Sequence, residues 1–268
     1  MLNRVKSLKN KNVKTPKVEH LPELENHGVW KKALNWISHI KRIYLFIAIA
    51  VLLAIVIFTV PNYMWKLLWL SLKVQAPLVV MLLIFSLVAV SLVWSSFQRL
   101  DVWVLRLFNM FGKRAPWLDW LMLGFTQIGN GIFAIVFALI LFYKNNYMIS
   151  YELLLGTLTL WFVVTLLKLL IHRTRPYIKI EKIRIVGSRA RGSSFPSGHT
   201  SQAFFMTTIL LHYYQASAPI SFVFYILALF VGITRIYVGM HYPRDVLGGA
   251  ILGITWGLIG VILNSYLF

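Results

Sequence analysis

Between residues 43 and 267 the sequence falls into seven long apolar runs, at 43–60, 76–97, 121–143, 149–171, 200–216, 219–238 and 246–267. A helix that crosses the hydrocarbon core needs about 20 apolar residues, and the runs fit that length. They are continuous rather than alternating, so they read as helices and not as the strands of a closed barrel. Charged residues make up 13% of the chain, against roughly 25% in soluble domains. A soluble core of this size cannot hide so much apolar surface. The expected fold is an all-α, polytopic membrane helix bundle.

The remaining segments divide the chain. Residues 1–42 carry ten Lys or Arg and are expected to be partly disordered, with a surface helix around Trp30, Leu34 and Ile37. They are not a signal peptide, because the apolar run starts too late and no small-residue cleavage site follows it. Residues 43–75 form an extra hydrophobic segment and linker, and 76–268 a six-span core. Residues 98–120 are amphipathic and rich in tryptophan, which suits short helices at the interface. "QASAP" before Pro219 predicts a tight hairpin between the fifth and sixth runs. The formal charge is +19. Its basic residues lie in short stretches between apolar runs, which points to anionic lipid head groups and away from nucleic acid. The chain has no cysteine, which excludes disulfides, thiolate metal sites and a cysteine nucleophile.

Ionisable groups beside the apolar runs carry the chemistry. Such groups are costly at membrane depth, by at least about 2.5–3.5 kcal/mol, and mark function. Lys168 ends the fourth run, and Arg175 follows seven residues later, before Pro176. Taken alone, Lys168 reads equally well as a lysine snorkelling to the interface. As a pair, the lysine offers a point charge and the arginine a fork of donors, the two usual ways of holding phosphate. On a continuing helix they would share one side, and Pro176 ends that helix at Arg175. Arg235, His241 and Asp245 form a second group. Asp245 lies four residues after His241, so its carboxylate can take one imidazole N–H and leave the other nitrogen as a base or nucleophile. The plain alternative is a polar loop. The third group is "PSGH" at 196–199. Backbone N–H groups at a helix start bind anions, Gly198 lets the backbone come close, and Ser197 adds a hydroxyl. A simple N-cap turn explains the serine but not His199.

Together, K-x6-R-P at 168–176, P-S-G-H at 196–199 and R-x5-H-x3-D at 235–245 resemble the three-part signature of the phosphatidic acid phosphatase type 2 superfamily, over residues 76–267. Thr234 stands where that family often has serine. The resemblance implies a lipid phosphate phosphatase. His241 would attack phosphorus and become a phosphohistidine, with Asp245 orienting it. His199 would protonate the leaving group and then activate water. Lys168, Arg175, Arg235, Ser197 and Gly198 would hold the phosphoryl oxygens. No metal and no cofactor is expected, since the cations take that role and no Asp/Glu cluster is evident. The expected partners are a lipid phosphate substrate and bilayer lipids. Polyprenyl diphosphate, phosphatidylglycerophosphate and phosphatidic acid lead the substrates. Transfer to a lipid or sugar hydroxyl, and a non-catalytic lipid-phosphate binder or transporter, are the competing readings.

Several residues are read as plain structure. His172 and Arg173, beside the first motif, are taken first as interface residues and second as substrate contacts, and Glu152 as an interface residue. Arg189 and Arg191 are taken first as interface residues and second as head-group contacts. His20, His27, His39 and His212 have no partners at ligand spacing. Gly248 and Gly249 are expected to allow close helix packing. The resemblance implies a plasma-membrane protein with an extracytoplasmic site. The positive-inside rule puts the basic tail in the cytoplasm, and both hold together if 43–60 is re-entrant.

Overall fold

The computed structural model describes residue 51 and residues 75–109, 115–181, 183–190 and 192–267. The tail at 1–42 and most of the segment at 43–75 lie outside them. The chain divides into compact units at 1–68 and 69–268. The second unit contains every residue of the three motifs.

Among the described residues there are nine helices and no strand. They are α1 (Ala76–Ser91), α2 (Ser95–Asn109), α3 (Pro116–Gln127), α4 (Gly131–Tyr143), α5 (Tyr147–Leu170), α6 (Pro176–Lys179), α7 (Gly198–Tyr213), α8 (Ala218–Tyr237) and α9 (Pro243–Leu267). Proline opens α3, α6 and α9 and stands in the first turn of α1 and α8, where a missing N–H costs nothing.

Two apolar runs break. The second run splits into α1 and α2, bent by 94°, and the third into α3 and α4, bent by 57°. At the second break the Asn130 side chain accepts the Ile132 N–H at 3.1 Å and restarts the helix, as an N-cap does. α5, α8 and the stretch Pro243–Asn264 of α9 are each long and apolar enough to cross a membrane singly. Their outward side chains, among them Trp161, Phe162 and Phe222, are exposed. That is the pattern of a lipid-facing surface.

The fifth run differs from a full span. α7 has 16 residues, or about 24 Å of helix, short of the roughly 30 Å hydrocarbon core. Thr200–Ile209 is buried throughout, and the helix packs on α9, α8, α5 and α4. A helix enclosed by protein need not face lipid, so it tolerates Ser201, Gln202, Thr207 and Thr208 in its buried length. Gly249 of α9 lets that helix come close to the start of α7. A Cβ there would fall 2.6 Å from the Ser197 carbonyl oxygen. The hairpin after α7 closes at Tyr214–Ser217, with Gln215 at φ 45°.

Candidate active site

The first motif is not one helical face. α5 stops at Leu170, Ile171 turns to extended backbone at φ −106°, ψ 91°, and Arg175 is extended at φ −68°, ψ 152°. The helix therefore ends at Leu170, ahead of the break expected at Arg175. Lys168 still reaches the second motif from the last turn of α5. Its Nζ lies 3.9 Å from where a Gly198 Cβ would stand.

Backbone bonds tie the motifs together. Ser194 N–H donates to the Arg173 carbonyl at 2.8 Å, and Ser197 N–H to the Asp245 carbonyl at 2.9 Å. The His241 N–H donates to the Arg235 carbonyl at 3.3 Å. The Phe195–Pro196 peptide is cis. Ser197 sits at the N-cap of α7 but makes no side-chain cap. Its hydroxyl is fully buried and accepts from the Thr200 hydroxyl at 2.9 Å. Ser197 thus shapes the turn, and the open donors at this end are the first-turn N–H groups.

The cations and histidines converge. Arg175 is buried and donates from Nε to the Gly192 carbonyl at 3.0 Å and from Nη1 to the Met240 carbonyl at 3.2 Å. The same Nη1 lies 3.4 Å from Nε2 of His241. Arg235 donates to the Thr126 hydroxyl at 2.8 Å, and its buried Nε has no partner. Half-buried His199 lies in the electrostatic reach of Arg235, His241, Lys168 and Arg175. So the structure brings Lys168, Arg175, Gly198, His199, Arg235, His241 and Asp245 into one site.

His241 lies in the loop before α9, almost wholly buried. Burial pushes its pKa down to about 3; Asp245 pulls it up, and Arg175 and Arg235 push it down. Burial thus holds the ring neutral at pH 7. Its Nδ1 stands 3.6 Å from Asp245 Oδ2. That is beyond a hydrogen bond, and the buried Nδ1 has no other partner.

Asp245 is held by a group that the sequence reading passed over. Its Oδ1 accepts from Arg173 Nη1 at 2.6 Å, and its Oδ2 from the Tyr242 N–H at 2.8 Å. Arg173 Nη2 donates to Asp101 Oδ2. Asp101 also accepts from Arg244 Nε at 2.7 Å and from the Arg244 N–H at 3.1 Å. Arg173 is therefore part of the site's support and not an interface residue. One signal was present in the sequence: Asp101, Leu105 and Asn109 share the buried i, i+4, i+8 stripe of α2, where a carboxylate is out of place unless paired. Arg189 is exposed, and Arg191 lies outside the described residues. Glu152 is partly buried and faces Gly260 of α9, with a buried, unpartnered Oε1.

A cavity of about 560 Å³ opens at the site, lined by Lys168, Gly198 and His199 with Asn130, Gln202 and Trp161 among others. A larger one of about 780 Å³ touches Arg173 and Tyr242 but none of Lys168, Arg175, His199, Arg235 or His241. The smaller cavity reaches Lys168, Gly198 and His199, but Arg175, Arg235 and His241 do not line it.

Two histidines among buried cations at one end of a helical bundle offer the charge that phosphoryl chemistry needs. The model of the PAP2 superfamily matches residues 149–268. Phosphatidylglycerophosphatase B of Bacillus subtilis is 30% identical over 155 residues, 53% of this chain and 72% of that protein. Undecaprenyl-diphosphatase BcrC of Bacillus subtilis is 28% identical over 53% of this chain and 72% of its own. Two crystal structures share the fold. Aquifex aeolicus LpxE matches with TM-score 0.54 and 31% identity, over 61% of this chain and 95% of its own. A PAP2-type phosphatidylglycerolphosphate phosphatase from Bacillus subtilis matches with TM-score 0.59 and 25% identity, over 71% and 97%. The chain belongs to the PAP2 superfamily. It is an integral-membrane lipid phosphatase.

Proposed function

We propose that the protein hydrolyses a phosphate or diphosphate monoester of a membrane lipid through a phosphohistidine on His241, without a metal ion. The observation that carries this reading is the placement of His241. Its Nδ1 faces the Asp245 carboxylate, and its Nε2 lies 3.4 Å from a buried arginine donor. Nε2 is the atom turned toward the place where phosphoryl oxygens would bind.

In the first step the Nε2 lone pair attacks phosphorus, and the bond from phosphorus to the leaving oxygen breaks. His199 gives its proton to that oxygen. Asp245 closes on Nδ1–H as the ring becomes cationic, as catalytic contacts that are loose without substrate commonly do. In the second step neutral His199 takes a proton from water, whose oxygen attacks the phosphohistidine. Phosphate leaves, and Nε2 regains its lone pair. Lys168, Arg175, Arg235 and the first-turn N–H groups at Gly198 and His199 neutralise the equatorial oxygens.

The cavity supports a lipid leaving group. Beyond His199 and Lys168 its walls include Ile132, Ile135, Leu158 and Trp161, and Ile132, Leu158 and Trp161 are exposed on the bundle surface. Phosphatidylglycerophosphate and polyprenyl diphosphate are the first substrates to try, with phosphatidic acid beside them. The site is proposed to face the extracytoplasmic side of the plasma membrane.

The test is phosphate release in detergent from those three lipids by wild type and His241→Ala. The variant should release none above background. Chelation with EDTA should leave the wild-type rate unchanged, because among the described residues no group of three or more His, Asp or Glu can hold a metal. Equal rates for both proteins would refute the mechanism, and loss of rate on chelation would refute the metal-free form of it. A phosphorylated acceptor in place of free phosphate would make the enzyme a transferase.

A further inference from the structure

We propose that Asp101 and Arg173 are positioning residues, a buried relay that aims Asp245 at His241 and fixes how much of its charge the imidazole feels. The inference rests on the phosphohistidine reading of the same site.

The relay starts from the geometry of a wholly buried carboxylate. Asp245 has no exposure, so each oxygen needs a protein donor. The Tyr242 N–H at 2.8 Å fixes only Oδ2, the oxygen that faces His241. Oδ1 has one donor, Arg173 Nη1 at 2.6 Å. Without it the carboxylate could turn about its own axis and carry Oδ2 away from Nδ1.

Arg173 has to be aimed in turn. Its side chain is 13% exposed, and its guanidinium lies 4.2 Å from the Tyr242 ring centre. Its second fork arm goes to Asp101, which is 2% exposed and is itself gripped twice by Arg244. Arg244 reaches on to the Ser91 carbonyl at the end of α1. The relay thus runs from the α1–α2 corner to the loop that carries His241.

The charges sort into two sets. Asp101 and Asp245 are matched by Arg173 and Arg244. Lys168, Arg175 and Arg235 make none of these contacts, and they face His199. Arg173 draws on Asp245, and Asp101 draws on Arg173. Removing the arginine takes away the positive charge that offsets the carboxylate, so the imidazolium of His241 is favoured even where Oδ2 is no longer aimed at Nδ1; removing the negative charge of Asp101 disfavours it. Two losses in one chain of contacts therefore act with opposite sign, which simple loss of packing does not produce. The other groups facing this couple are Arg175 from the segment before α6, Arg235 from α8, His199 from α7 and Lys168 from α5, the last through Asp245. They are unchanged in the variants.

The experiment measures kcat, KM and the pH profile of kcat/KM for Arg173→Gln, Arg173→Lys, Asp101→Asn and the double variant Asp101→Asn/Arg173→Gln. Arg173→Gln should lower kcat by about 10²-fold with KM within a factor of about three, the signature of a group that acts beyond substrate binding. Its acid limb should move to higher pH by about one unit, because Asp245 then favours the imidazolium more strongly. Asp101→Asn should move the limb to lower pH, and the double variant should bring it back towards wild type. Arg173→Lys keeps the charge, so it should hold the wild-type limb while kcat falls. Limbs that move the same way in both single variants, or stay fixed in both while kcat falls, would overturn the relay. Assaying His241→Ala alongside separates the two ideas. If it is active, the phosphohistidine reading fails; if it is inactive and the limbs do not split, only the relay fails.

Discussion

At the scale of single residues, the site separates donors that hold charge from groups that move protons. His199→Ala should slow turnover by about 10²–10⁴-fold, the usual size of lost acid–base catalysis, read as steady-state phosphate release. Arg175→Lys should cost about 10²–10³-fold in kcat, although charge is conserved. A lysine cannot reach the Gly192 and Met240 carbonyls and the phosphate together, as the arginine fork is placed to do. His241 also sets a stability slope. Its folded pKa is lowered to about 3, while an unfolded histidine titrates near about 6.5. Between these values the unfolded chain holds the extra proton, so stability falls as pH drops from about 6.5 towards 3. Melting temperatures of wild type and His241→Asn across that window check this, and the variant should show the shallower slope. The motif residues could be grouped from the sequence because their spacing is local. Asp101 showed only as a carboxylate on the apolar stripe of α2, and its link to Arg173 did not show, because a pair 72 positions apart leaves no periodic trace.

At the scale of elements, the apolar runs forecast where helices lie but not how each is used. Hydropathy cannot tell a lipid-facing span from an enclosed one. α7 therefore read as a short span, although its buried length is hydroxyl-rich and wrapped by α9, α8, α5 and α4. The break between α1 and α2 falls a few residues before the boundary expected at 97, and α2 largely covers the amphipathic segment expected to be helical; the bend between α3 and α4 was missed for a similar reason. Uninterrupted apolar sequence hides a break that turn and cap residues make. Of the glycines expected to permit close packing, Gly248 does so against the Phe195 ring and Gly249 against the PSGH turn. Gly249→Ala would place a methyl group 2.6 Å from the Ser197 carbonyl and 3.1 Å from Thr200 Cβ. That overpacking should cost about 1–3 kcal/mol. Thermal unfolding in detergent should show a lower midpoint. Because Ser197 also bonds the Asp245 carbonyl, kcat should fall more than KM changes.

At the scale of the whole molecule, the three motifs draw on five helices, α5 to α9, and meet at one end of the bundle. The chain's lack of cysteine makes the proposed orientation directly testable. Arg189→Cys puts a single thiol on an exposed position of the loop between the first two motifs. A membrane-impermeant maleimide should label it in intact cells, and labelling only after permeabilisation would put the site in the cytoplasm. The central claim is covalent chemistry at His241, and rapid quench tests it most directly. Wild-type enzyme mixed with lipid phosphate carrying radioactive phosphorus should yield a phosphoenzyme stable in alkali and labile in acid, with the label on the peptide that contains His241. It should form and decay at rates that account for turnover. Label on another residue, or full turnover with no phosphoenzyme at any time point, would contradict the account.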